Sequence, residues 1–244
     1  MPSQPRLAIF DIDGTLVDSR HHICTAMDQA FVAMGLPAPG YDRTRRIVGL
    51  SLVEAVREMA PEFTENERQR LGEGYRAAIQ HLRAQPDYRE PLYDGALSLL
   101  HDLREQGWVL AAATGKTRQG MDSMIRMHGL EGYFATIGCA DDGPSKPDPF
   151  MLYKVLNDLQ IHVDHAIMIG DTIWDLRMAQ AASMRCAAVS WGFHTKAELL
   201  GEHPDQLHDD FASLQIGLGD AFKRPRASEI AREATANHTE ARLA

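Results

Sequence analysis

Asp11 and Asp13 stand two apart at the end of the apolar run Leu7-Ala8-Ile9-Phe10, followed at once by Gly14 and Thr15. An apolar run of this length, bounded by turn residues, reads as a buried strand opening into a loop. Side chains two apart leave a strand on the same side, so both carboxylates would enter one crevice beyond the strand end. Gly14 permits the tight turn that follows. Two acids this close repel unless a cation lies between them or they share a proton. Such a segment suits metal-assisted or acid–base chemistry, and equally a strand end closed by an Asx turn.

Three later segments hold further chemistry. Thr114-Gly115-Lys116-Thr117 follows the apolar run 108–113 and opens a helical pattern, where free amides beside a hydroxyl can seat an oxyanion or phosphate. In Ser145-Lys146-Pro147-Asp148-Pro149, Asp148 suits a helix N-cap and Pro149 the first helical position, stiffening the loop that carries Lys146. Gly170-Asp171-Thr172-Ile173-Trp174-Asp175 follows the run 165–169, with acids at i and i+4 across a helix start. Acid pair, hydroxyl, lysine and second acid pair therefore each fall at a predicted strand exit, where open α/β sheets bind ligands.

The elements that must position these groups follow from hydrophobic periodicity. Strands are expected at 6–10, 108–113, 134–138, 165–169 and 185–190, and helices at about 94–106, 117–129, 148–160, 173–183 and 195–201. This alternation predicts an α/β fold, a Rossmann-like parallel sheet with helices on both faces. Residues 17–88 break the rhythm, with helix-period stretches at 19–35, 51–60 and 65–84 and the breaker cluster Gly35-Leu-Pro-Ala-Pro-Gly40. They read as a helical subdomain inserted into a core made of 1–16 and 89–223. The polar, alanine-rich tail 224–244 is expected to be disordered.

Composition limits the classes. A hydrophobic content of 44% over 244 residues is enough for a substantial core. The net charge of -9 argues against nucleic acid or an anionic membrane as partner, and demands locally placed cations for any anionic substrate. Cys24, Cys139 and Cys186 form no C-x-x-C pair, no run of about 18 apolar residues exists, and the amino terminus lacks a signal-like apolar stretch. A cytoplasmic location is the expectation.

The ordered motifs resemble those of the haloacid dehalogenase superfamily, in particular its phosphoglycolate phosphatase-like branch. The match runs through Asp11 to Thr15, Thr114, Lys146 with Pro147, and Asp171 to Asp175, and covers roughly residues 6 to 200. The resemblance implies a helical cap over 17–88 and Mg²⁺-dependent hydrolysis of a small phosphorylated metabolite through an aspartyl-phosphate. It implies Asp11 as nucleophile, Asp13 as acid and then base, and Mg²⁺ held by Asp11, the Asp13 carbonyl and Asp171. Asp175 would stand just outside the metal, orienting water or Lys146. Thr15, Thr114, Gly115 and Lys146 would bind phosphoryl oxygens, with Lys146 offsetting charge in the transition state. Phosphoglycolate is the lead substrate. Its carboxylate is expected to meet an arginine from Arg43, Arg45 and Arg46, with Arg46 foremost, because these precede a segment equivalent to the family's substrate-facing cap loop.

Family patterns also separate the alternatives. Dehalogenases lack an acid at Asp13, since a halide leaves without a proton. Phosphonate-cleaving relatives use a cap lysine, and none occurs between Leu16 and Glu90. Sugar-phosphate mutases carry a histidine twelve residues after the nucleophile; here Ile23 stands there, after His21 and His22. Mutase, pyrophosphatase and a non-catalytic phospho-acceptor switch remain as alternatives. Gly115-Lys116-Thr117 looks like the end of a P-loop, but Leu110 occupies the position of its required first glycine.

Overall fold

A computed structural model describes residues 5 to 223. The expectation for the tail 224–244 lies outside them. The strands are β1 (Leu7–Phe10), β2 (Val109–Ala113), β3 (Thr136–Gly138), β4 (Ala166–Gly170), β5 (Arg185–Val189) and β6 (Gln206–His208). All pair in parallel in the order β3-β2-β1-β4-β5-β6, so β1 lies inside the sheet with Phe10 opposite Ala112 on one side and Ile169 on the other. Alternate residues of β1 enter opposite faces. Ala8 and Phe10 join one apolar cluster, and Leu7 and Ile9 join the other. Burying a side chain such as Phe10 contributes about 1.5–3 kcal/mol.

Helices cover both faces. Against Phe10 pack α5 (Ala96–Glu105), α6 (Arg118–His128) and α10 (Phe211–Asp220); against Ile9 pack α7 (Phe150–Leu159), α8 (Ile173–Ala181) and α9 (Lys196–Gly201). The parallel sheet with helices on both faces is the architecture expected. Two elements of the sheet region were not: β6 and α10. β6 is three half-buried residues, Gln-Leu-His, at the sheet edge and carries no apolar run. α10 includes Gly217 and Gly219, which weaken its helical signal, and is held by Leu214 and Leu218 against the core. The third strand is also shorter than the expected 134–138.

Between β1 and α5 the chain forms α1 (Arg20–Ala33), α2 (Gly40–Thr44), α3 (Leu52–Met59) and α4 (Glu65–Arg83), with a 3₁₀ turn at Arg45–Ile47. This group has its own apolar centre, including Met27, Phe31, Ile47, Val56, Met59 and Leu71. Thr64 and Glu67 form a reciprocal capping box that fixes the start of α4. At Gly74 α4 lies against Ala30 of α1, where an added Cβ would sit in ordinary van der Waals contact, 3.5 Å from the Ala30 Cα. The two connecting segments run side by side, with Asp18 N–H donating to the Pro91 carbonyl and Tyr93 N–H to that of Leu16. Among the described residues, no helix is long and apolar enough to cross a membrane.

Candidate active site

The carboxyl ends of β1, β2 and β4 bring the sequence motifs together. Asp11 leaves the end of β1 with its N–H on the Ile169 carbonyl, and Asp171 follows the end of β4. Lys146 Nζ lies 2.7 Å from Asp11 Oδ1 and 2.6 Å from Asp175 Oδ1, with none of its side chain exposed. Asp175 is held in turn from its other oxygen, which accepts from the Thr172 hydroxyl at 2.7 Å and the Thr172 N–H at 3.1 Å. Asp171 accepts from the Thr15 hydroxyl at 2.8 Å and the Phe193 N–H at 2.7 Å. Gly14, at φ +85°, passes so near Asp171 that a Cβ there would collide with its carboxylate.

Three buried carboxylates thus face one buried ammonium. Burial raises the Asp11 carboxyl to about 7, with Lys146 lowering it and the charges of Asp175 and Asp13 raising it further. Burial, then Asp11 and Asp175, also holds Asp171 well above the ordinary carboxylate range. Burial works against the charge on Lys146, but Asp11 and Asp175 overcome it and raise the ammonium. The directions share one cause: excess negative charge retains protons and would equally attract a cation. Oxygens of Asp11, Asp171 and Asp175 lie within 4.8 Å of one another. Asp11 Oδ2 is buried without a hydrogen-bond partner, and among the described residues the Asp13 carbonyl accepts no hydrogen bond. Asp175 gives one oxygen to the Lys146 ammonium and the other to two Thr172 donors, whereas each Asp171 oxygen accepts from a single neutral donor. This donor set fits a hard divalent cation bound by Asp11, Asp171 and the Asp13 carbonyl.

A cavity of about 550 Å³ opens above Asp11 and Asp13, between the sheet end and α1–α4. Gly115 and Lys116 form part of its wall; Ile23, Met27, Val48 and Leu50 face it from the inserted helices. At Gly115 the two parts nearly touch, since a Cβ there would lie 2.6 Å from the Leu50 carbonyl oxygen. Ser51 N–H donates to Ser145 Oγ at 2.7 Å across the same junction.

Not every expected residue faces this space. Thr15 is fully buried, and its hydroxyl serves Asp171 rather than the cavity. Thr114 is also buried, its hydroxyl accepting from the Lys116 N–H at 3.2 Å. Arg46 is exposed and does not line the cavity; its carbonyl accepts from the Trp174 indole at 2.9 Å. Adjacent residues of a tight 3₁₀ turn point in different directions, and it is Arg45 that turns inward, pairing with Glu198 at 2.8 Å. Arg43 donates to the Met59 carbonyl.

Sequence reasoning missed one contact and one buried acid. Lys116 lies 2.7 Å from Asp13 Oδ1, with its side chain 8% exposed. Burial opposes its charge, and Asp13 with Glu90 raises it above the usual lysine value. Glu90 itself is buried and lines the cavity with Arg76 and Arg83 of α4. The parallel register of β1 and β2 could have revealed the contact, because it sets the two following loops side by side.

Comparison with known proteins agrees with this geometry. The family model described as haloacid dehalogenase-like hydrolase matches residues 8–189. The chain is 33% identical to a phosphoglycolate phosphatase of Agrobacterium fabrum, over 89% of this chain and 95% of that protein. It is also 34% identical to the tyrosine-protein kinase PtkA of Mycobacterium tuberculosis, over 78% of this chain but 63% of the kinase. A crystal structure of a putative phosphoglycolate phosphatase from Lactobacillus delbrueckii superposes with a TM-score of 0.78 at 22% identity, covering 90% of this chain and 99% of that one. The chain belongs to the haloacid dehalogenase-like hydrolases, as a phosphoglycolate phosphatase-like member of that family.

Proposed function

We propose that the protein is a Mg²⁺-dependent phosphatase that hydrolyses a small phosphomonoester through an aspartyl-phosphate on Asp11, with phosphoglycolate as its first substrate. One observation carries this reading. Asp11 and Asp13 lie at the cavity floor, with Lys146 against one Asp11 oxygen and the other left without a donor. An oxygen of Asp11 attacks phosphorus, and the bond from phosphorus to the ester oxygen breaks. Asp13 gives its proton to the departing alkoxide, then takes one from the water that hydrolyses the acyl phosphate. Lys146 offsets negative charge on Asp11 and the phosphoryl group, while Asp175 holds its ammonium in place.

Mg²⁺, held by Asp11, Asp171 and the Asp13 carbonyl, would supply charge cancellation and orient the phosphoryl oxygens. Residues 17–88 act as a cap that excludes bulk water from the covalent intermediate. The three cysteines are free, which suits a reducing cytoplasm. Ile23, at the mutase histidine position, lines the cavity, and His21 and His22 do not, which favours hydrolysis over phosphoryl return to a sugar. The apolar side of the cavity favours a carbon-bearing leaving group over pyrophosphate.

A panel of phosphomonoesters, assayed for released phosphate with and without Mg²⁺, tests this. Turnover is expected with Mg²⁺ and is lost in Asp11→Asn. Turnover that survives Asp11→Asn refutes the nucleophile, and a stable phosphoprotein without phosphate release points to a phospho-acceptor switch.

A further inference from the structure

A second cavity, of about 230 Å³, lies away from the catalytic centre, between α3 and α4 of the inserted helices. Its floor is apolar, formed by Leu52, Val53 and Val56 of α3. At Gly72 of α4 the missing side chain leaves the space open: the nearest neighbours of an added Cβ would be Arg76 Nη1 and Leu52 Cδ2, both at 3.9 Å. The rim is cationic, with Arg57, Arg68 and Arg76 against the one carboxylate of Glu65. The chain as a whole carries a net charge of -9, so this rim is a local exception. The three arginines differ in what they already hold. Arg68 is committed, with Nε and Nη2 donating to the Ala60 and Pro61 carbonyls just past the end of α3. Arg57 gives only Nη1 to Glu54, at 2.6 Å, and keeps its other donors. Arg76 makes no ion pair and no side-chain hydrogen bond among the described residues.

We propose that the α3–α4 cavity is a second binding site, for a small carboxylate with an apolar chain. The hydrocarbon lies on Leu52, Val53 and Val56, and the carboxylate takes the guanidinium of Arg76 and the free edge of Arg57. A planar guanidinium offers two parallel N–H donors that match a carboxylate, which selects this head group over a neutral one. The volume falls below the roughly 300–1,000 Å³ of sites for larger ligands, so the chain is a few carbons long. Occupancy also reaches the catalytic site. Leu52, Val53 and Arg76 border both cavities. A carboxylate on Arg76 offsets a positive charge that otherwise faces the space where a phosphate dianion enters. Each ligand therefore weakens the other, by the same factor in both directions. The site stands without the phosphatase reading; its effect on KM rests on that reading.

The test uses hexanoate, with 1-hexanol as its neutral counterpart, titrated onto the full chain and followed by ligand-observed NMR. Hexanoate is expected to saturate one site, and 1-hexanol to bind about 10-fold more weakly. In turnover of p-nitrophenyl phosphate, hexanoate should raise KM to a plateau about 5-fold higher with kcat unchanged. An anion that competes at Asp11 instead raises KM without limit. Gly72→Leu fills the cavity and abolishes the saturable binding. Arg57→Gln, at a side chain 49% exposed, leaves KM without hexanoate unchanged and weakens hexanoate about 5- to 10-fold. Absence of saturable hexanoate binding, equal binding of 1-hexanol, a KM that climbs without a plateau, or unchanged hexanoate affinity in Arg57→Gln overturns the inference. A protein that hydrolyses no phosphate ester removes the phosphatase reading alone, and the NMR titrations then decide the site.

Discussion

The pair Arg45–Glu198 joins the 3₁₀ turn after α2 to the start of α9, and its removal should loosen the closed arrangement over the active site. Arg45 makes a two-point contact, Nη1 to Oε2 at 2.8 Å and Nη2 to Oε1 at 3.1 Å, with Nη1 also 3.4 Å from the Phe193 carbonyl. The Phe193 N–H holds Asp171, so the inserted helices, the proposed cap, are tied to the segment that steadies a proposed metal ligand. The arginine side chain is 10% exposed and the glutamate 33%, between the surface and the interior. Exposed pairs contribute about 0.2–1 kcal/mol, whereas breaking a buried one costs about 3–5. An intermediate coupling of about 1–2 kcal/mol follows, a factor of roughly 5–30 in the closed-to-open ratio. A double-mutant cycle with Arg45→Met and Glu198→Gln, read from KM and thermal denaturation, measures it. Each single variant should raise KM and lower Tm by about 2–8 °C. The reversed pair, Arg45→Glu with Glu198→Arg, should recover part of both. Arg45, and after it the Thr195 N–H and hydroxyl, hold the Glu198 carboxyl down at about 2, so this contribution is full above the ordinary pKa of 4.5 and lost as pH falls through about 2. Strict additivity of the two single changes, within about 0.3 kcal/mol, would refute the latch.

Two further predictions concern the acidic cluster. Lys146→Met leaves three buried carboxylates without their ammonium; without added metal near neutral pH, stability should fall by about 3–5 kcal/mol, with Mg²⁺ returning part of it in the thermal scan. In the native protein under chelation, Asp11 and Asp171 have carboxyls raised on folding, so the folded state holds protons that the unfolded chain releases. The Asp11 contribution is therefore full below the ordinary carboxylate range and lost as pH rises through about 7, and Asp171 acts in the same direction. The Tm under chelation should decline from pH 5 to pH 8, and the gain from added Mg²⁺ should grow over the same interval. A Mg²⁺ gain that is independent of pH would refute competition between proton and metal at these carboxylates.

What could be read in advance was whatever depended on local pattern. The run Leu7–Phe10 needs only its apolar character to become β1, and the parallel sheet follows from the spacing of similar runs. Asp11, Lys146, Asp171 and Asp175 meet because each stands at a strand exit, in a loop beside one or in the first turn of the helix that follows, positions that periodicity locates well. β6 escaped because three edge residues, one leucine between two polar side chains, are too few to show a periodicity. The substrate end of the site escaped for a different reason. Arg45 and Arg46 are neighbours of the same type, and only the packing of the turn against α9 decides which one faces inward. Lys116 stood in a segment that resembled a broken P-loop, so its lysine had no assigned partner. The partner comes from the sheet: Phe10 is level with Ala112, Asp13 lies three residues beyond the first and Lys116 four beyond the second. Two loops leaving adjacent parallel strands at the same height must run together, and opposite charges at matching distances along them can meet. The acidic cluster around Lys146 was thus encoded residue by residue, whereas the contact between Lys116 and Asp13 was encoded in the register between two strands.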